Sequence, residues 1–92
     1  MGLGYVLSEE VSFKNGAVLD TNFGTYELPR FSGVPKIETV VLDSPDLAPQ
    51  GGGEPAIILM GALVANAAFD AVGARVTRLP MTPARVKAAM RG

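Results

Sequence analysis

Hydrophobic and polar positions fall into two regimes, a first half of short alternating runs and a second half dominated by one apolar stretch. In the first half, residues 9–13 and 17–20 flank Lys14-Asn15-Gly16. An Asn-Gly pair between such runs predicts a β-hairpin over residues 8–20. Residues 36–42, Lys-Ile-Glu-Thr-Val-Val-Leu, alternate and are rich in β-branched side chains, which predicts the clearest strand. Residues 21–30 mix turn formers with Phe23 and Tyr26, aromatics expected to pin an ordered loop. Residues 1–7 read as a frayed tail or as the end of a helix begun upstream.

The second half predicts helices. From Pro55 to Val72 the apolar side chains Ile57, Ile58, Leu59, Met60, Leu63, Val64, Phe69 and Val72 fall on most sides of a helix, and a helix apolar all round is expected to be buried all round. Pro55 suits the first helical position, and Gly73 suits the residue just past the end. Residues 75–79 read as a short edge strand. Thr82-Pro83 supplies an N-cap and first-turn pair for a last helix to about Met90, with Arg85, Lys87 and Arg91 on its polar side. The expected class is α+β: a small mixed sheet with a β-hairpin, one long buried helix and a short C-terminal helix, in a single domain or fragment spanning residues 1–92.

Composition narrows the function. Hydrophobic residues make up 48% of the 92 positions and charged residues 18%, an apolar balance that predicts surface meant for a partner and self-association of the isolated chain. A net charge of −1, with eight Lys and Arg scattered singly, gives no basic field for nucleic acid. The absence of Cys and His removes zinc, iron–sulfur and haem ligation, disulfides and His-dependent triads from the chain's own chemistry. The first residues lack a positive n-region and reach Glu9 and Glu10 early, so no secretory signal is expected. The compartment stays open between cytoplasm and periplasm. The run 56–72 is short of the ~20 apolar residues of a membrane span and contains Asn66, Asp70 and many small side chains, which predicts a soluble helix and no span.

The candidate chemistry sits at Gly51-Gly52-Gly53-Glu54-Pro55. Three glycines allow positive φ and leave no side chains to hold off a ligand. Pro55 places Glu54 at a helix N-terminus, where unpaired N–H groups and the macrodipole favour an ionised carboxylate able to accept a proton. The same arrangement also serves as an ordinary helix-terminal charge on a common kind of turn. A phosphate or nucleotide site is disfavoured, because Glu54 would occupy and repel the anion position.

Taken in order, the motifs resemble the C-terminal end of the molybdopterin-binding large subunit of the molybdenum hydroxylases, the xanthine dehydrogenase and aldehyde oxidase family. The isoquinoline 1-oxidoreductase β-subunit type looks closest. Residues 2–10 (GLGYVLSEE) match a glycine-led helix end and acidic strand start. Residues 22–30 (NFGTYELPR) look like the family's N-F-x-x-Y-x-x-P-R loop, and residues 34–38 (VPKIE) like its V-P-x-I-E strand. The likeness runs on through Gly53-Glu54-Pro55 and Ala65-Asn66-Ala67 to residues 79–86 (LPMTPARV). Residues 56–61 depart from the proline-rich helix start of the isoquinoline type, so the substrate pocket near the helix is expected to differ.

The resemblance implies a molybdopterin-type molybdenum cofactor in the intact enzyme and Glu54 as the general base beside it, hydroxylating an aldehyde or N-heterocycle with water as oxygen source. Gly51, Gly52 and Gly53 would let backbone approach the cofactor. It implies as partners the remainder of the molybdopterin subunit and an iron–sulfur subunit. The isolated chain, holding the base without the rest of the site, is expected to be inactive and cofactor-free. The competing reading is a non-catalytic interaction module that docks a partner through its apolar helix.

Overall fold

The computed structural model describes residues 1–92. Its elements in order are α1 (Gly2–Leu7), β1 (Phe13–Lys14), β2 (Ala17–Val18), a 3-10 turn (Phe31–Gly33), α2 (Pro55–Ile58), α3 (Met60–Val72) and α4 (Pro83–Ala89). The class is α+β, with a hairpin, a long helical stretch and a short C-terminal helix, as the sequence predicts.

The hairpin forms where Asn-Gly places it. β1 and β2 pair antiparallel with Phe13 opposite Val18 and Lys14 opposite Ala17. Asn15 and Gly16 take φ of 52° and 80°, the two positive values that a tight primed turn requires. Beyond the ladder, the Leu19 N–H donates to the Ser12 carbonyl at 2.8 Å and the Ser12 N–H to Asp20 Oδ2 at 2.6 Å.

α2 and α3 run as one helix of 18 residues, Pro55–Val72, with a single tightened residue at Leu59. The Leu63 N–H still reaches the Leu59 carbonyl at 2.9 Å, so the axis continues. Gly73 closes it in the left-handed conformation, φ 69°, with its N–H on the Phe69 carbonyl. α4 starts as expected: Thr82 Oγ1 accepts the Arg85 N–H and Pro83 opens the first turn.

The two ends of the chain share the small core. Val6, Ala74, Val76 and Met81 are buried together, with Tyr5, Met60, Val64, Ala65, Val86 and Ala89 packed around them. The Met81 N–H donates to the Val6 carbonyl at 2.6 Å, and the Tyr5 hydroxyl donates to the Ile57 carbonyl. Residues 1–7 are therefore no frayed tail: Gly2–Leu7 is helical, in keeping with the alternative reading of this stretch as a helix end. α1 fits because its glycines let neighbours close in: a Cβ on Gly4 would lie 2.1 Å from Glu9 Oε1 and 2.6 Å from Pro29 Cγ.

Three expectations need correction. No mixed sheet forms: the hairpin is the whole sheet, and residues 36–42 and 75–79 are not strands. Their patterns suit strands, and Ala74 and Val76 do alternate inward with Arg75 and Thr77 outward, but a strand exists only beside a partner. Second, the long helix is not buried. Its inward side, Met60, Gly61, Val64, Ala65 and Ala68, is half-buried, while Ile58, Leu59, Leu63, Phe69 and Val72 face outward and are exposed. A chain with six buried residues has too little material to wrap a helix on every side. Third, of the two loop aromatics only Tyr26 pins the loop, by donating to Glu9 Oε2 at 2.7 Å; Phe23 is 77% exposed.

Candidate functional site

Gly51, Gly52 and Gly53 lead into α2, and Glu54 is the residue immediately before it. Pro55 stands first in the helix as the sequence predicts, and the Glu54 carbonyl receives the Ile57 and Ile58 N–H groups at 2.8 and 3.1 Å. The Glu54 backbone is already helical, φ −71° and ψ −39°, and its side chain makes no capping hydrogen bond. Nor does it enter any ion pair of the chain. Its carboxylate is exposed and unpartnered.

The glycines serve this turn differently from the expectation. None of them adopts positive φ, a conformation confined among glycines to Gly16 and Gly73. A Cβ built on Gly51, Gly52 or Gly53 would meet nothing within 4 Å. Nothing inside the chain therefore demands glycine at these three positions. What their lack of side chains creates is an open concavity of about 300 Å³ bounded only by Gly51, Gly52, Gly53, Glu54 and Pro55. Their N–H groups have no acceptor within the chain.

This donor set fits one wall of a cofactor site. Bare peptide groups can approach and donate to the polar rim of a cofactor, and a free carboxylate beside them can accept a proton. It does not fit a metal centre on its own, since no cluster of three carboxylates, His or Cys exists.

Two features went unseen in the sequence. An apolar groove of about 400 Å³ lies between α1, residues 29–37 and the start of α2, lined by Met1, Leu3, Val34, Ile37, Ala56 and Met60 among others. The small residues of α1 were its only signal. The second is an ionic staple: Arg85 donates from one nitrogen to both oxygens of Glu10 at 2.8 and 3.0 Å and from another to the Pro80 carbonyl at 2.9 Å. Arg78 adds a looser contact to Glu10 at 3.6 Å. The Arg85 hydrogen bond holds the Glu10 carboxyl below the usual carboxylate value; desolvation, the next largest effect, opposes it, and the positive charges of Arg85 and Arg78 add to the lowering.

The geometry defines a small α+β unit with an exposed carboxylate at a glycine turn and a core shared by its ends. No family model matches the chain. It is 40% identical over 87 residues, 95% of its length, to a nicotinate dehydrogenase subunit of Pseudomonas putida. It is 38% identical over 92% of its length to the membrane-bound aldehyde dehydrogenase (pyrroloquinoline-quinone) of Gluconacetobacter polyoxogenes. The xanthine dehydrogenase molybdenum-binding subunit of Escherichia coli O157:H7 is 35% identical over 94% of it. The beta subunit of isoquinoline 1-oxidoreductase from Brevundimonas diminuta is 32% identical over 90% of it. The chain belongs, as a segment, to the molybdenum hydroxylase family of xanthine dehydrogenase and aldehyde oxidoreductase. It spans only 7%, 11%, 12% and 10% of the lengths of these four relatives.

Proposed function

We propose that the chain corresponds to the C-terminal end of a molybdopterin-binding subunit and contributes the general base of a hydroxylase, Glu54, to a site completed by the rest of that subunit. The observation that carries this reading is the free Glu54 carboxylate beside a turn without side chains, in a chain whose relatives include molybdenum-binding subunits. Bound there, a molybdenum cofactor would supply the redox centre that takes two electrons from an aldehyde or N-heterocycle as water provides the oxygen. Glu54 would accept the proton released in that step; Gly51, Gly52 and Gly53 leave room for the cofactor, and their N–H groups are free to donate to it. An iron–sulfur subunit carries the electrons away. Several relatives are themselves named as subunits, which supports partners of this kind.

The long helix is read as docking inside the larger subunit. Pro55–Val72 is long and apolar enough to cross a membrane, with mean hydropathy 1.8. Asn66 and, in the last turn, Asp70 would then enter or approach lipid, where polar and charged side chains are disfavoured. The exposed face Ile58, Leu59, Leu63, Phe69 and Val72 also supports the second reading, a docking module in which Glu54 has no chemical role.

Grafting residues 1–92 in place of the matching segment of the P. putida nicotinate dehydrogenase subunit separates the two. Glu54→Gln keeps the shape but cannot take a proton. Reduction of the enzyme by its substrate, followed by stopped flow at equal molybdenum content, should slow ~10²–10⁴-fold. A rate equal to that of the unmutated graft removes Glu54 from the chemistry and leaves the docking reading.

A further inference from the structure

We propose that Tyr5 is a positioning residue for Glu54: its hydroxyl, fastened to the Ile57 carbonyl, sets the helical turn from which the base projects. The proposal rests on the reading of Glu54 as the base. The Glu54 side chain makes no capping hydrogen bond and no ion pair, so the place of its carboxylate is set by backbone alone. Upstream that backbone is unfastened: residues 48–53 are exposed, and none of their N–H groups has an acceptor within the chain. Downstream, Ile58 is 70% exposed and Leu59 56%. From Ala48 to Leu59, only Ile57 is partly buried.

Ile57 is where this turn meets the rest of the chain. Its N–H donates to the Glu54 carbonyl at 2.8 Å, and its own carbonyl accepts the Tyr5 hydroxyl. One residue thus links the backbone of the base to a side chain 52 positions away in sequence. Tyr5 is a firm point of attachment. Gly4 and Val6 on either side of it are buried, Tyr5 itself packs against the core, and the Val6 carbonyl accepts the Met81 N–H at 2.6 Å. Its reach depends on Gly2, which precedes it by three residues and so lies on the same side of α1. A Cβ on Gly2 would lie 2.5 Å from Met60 Cγ, so the bare backbone there lets α1 sit against the long helix just past Ile57.

The hydroxyl matters because proton transfer is sensitive to distance. A base works within hydrogen-bond reach of the proton it takes, and a displacement of about 1 Å can cost ~10²-fold in rate. The four-residue α2, exposed except at Ile57, has little else to resist such a displacement. A phenylalanine at position 5 would fill the same space beside the core and leave the turn unfastened. Tyr5 acts through Ile57, not on the reacting atoms, so its influence falls on the proton-transfer step and not on substrate affinity.

Tyr5→Phe in the graft described above tests this. At equal molybdenum content the limiting rate of reduction by substrate should fall ~10–10²-fold, with the half-saturating substrate concentration unchanged within about twofold. In a Glu54→Gln background the same change should cost less than ~3-fold, because groups that act as a unit are not additive. A tyrosine with a merely structural role would lower the yield or the molybdenum content, and any effect on rate would multiply with that of Glu54→Gln; full multiplication overturns the proposal. So does an unaltered Tyr5→Phe rate beside a slowed Glu54→Gln, an outcome that leaves the base standing. An unaltered Glu54→Gln rate removes the base and this proposal together. If the Tyr5→Phe graft does not take up molybdenum, hydrogen exchange on the 92-residue chain decides. The Ile57 and Ile58 amides, which both hold the Glu54 carbonyl, should exchange ~3–10-fold faster in Tyr5→Phe, the loss expected for one hydrogen bond. Equal exchange in the two chains overturns the proposal.

Discussion

Glu10 and Arg85 stand 75 positions apart, and their bidentate contact ties the start of the chain to its last helix. No local pattern could announce it, because ion pairs are legible in sequence only where helix or strand spacing brings residues together. Its effect on stability follows from the sign of the shift. The Glu10 carboxyl is held below its ordinary value by the Arg85 hydrogen bond, so its contribution is fully present above the ordinary carboxylate range and is lost as pH falls through the lowered value. Glu10→Gln should therefore make folding less dependent on pH below ~4.3, measured by circular dichroism across an acid titration. An acid limb that coincides with wild type would show that the staple contributes nothing. Tyr26 works in the opposite direction. Donation to Glu9 holds its phenol above the ordinary value, so that contribution is present at neutral pH and lost in strong alkali. At this scale the sequence placed Glu54 and the glycines at a turn before a helix, a setting their neighbours in the chain define, and it named no partner for Glu10, Arg85 or Tyr26.

At the scale of elements, legibility followed whether an element is completed locally. The hairpin turn, the Thr82 cap and the Gly73 terminus depend on two to four adjacent residues, and all three form where predicted. Residues 36–42 and 75–79 carry strand patterns that need a distant partner, and in this chain neither has one. α1 was one of two readings of residues 1–7, and the choice could not be made locally because its stability lies in close packing. Gly2 and Gly4 test that account unequally. A Cβ on Gly2 would meet Met60 Cγ at 2.5 Å, the side chain of an adaptable residue, whereas one on Gly4 would press on the Pro29 ring and on the carboxylate that holds Tyr26. Gly4→Ala should cost ~1–3 kcal/mol, the range for overpacking, and should bring the Tyr26 phenol back toward its ordinary value. Gly2→Ala should cost less, since methionine repacks readily. Denaturant unfolding of the two variants beside wild type, with an ultraviolet titration of Tyr26, decides it; equal losses would mean that Pro29 and Glu9 give way as easily as Met60.

For the whole molecule, size and shape agree that this chain covers itself poorly. Its Cα radius of gyration is 16.9 Å, where a compact domain of this length would have about 12 Å. Its accessible surface is 7789 Å², against about 5,100 Å² for a folded monomer of this mass. The apolar composition had already pointed to surface meant for a partner, although it could not say that the outward face of the long helix would be that surface. Leu63, 57% exposed near the middle of that face, marks its centre, with Leu59 one turn away. In isolation that face should find another copy of itself, because apolar patches of this extent on a small chain seek cover. Light scattering should report a dimer or larger species, and Leu63→Glu should shift it toward monomer, since each added carboxylate would have to be buried against an apolar partner. A wild-type chain that stays monomeric at millimolar concentration would mean that its own loops cover the helix in solution, and the docking role of that face would fall with it.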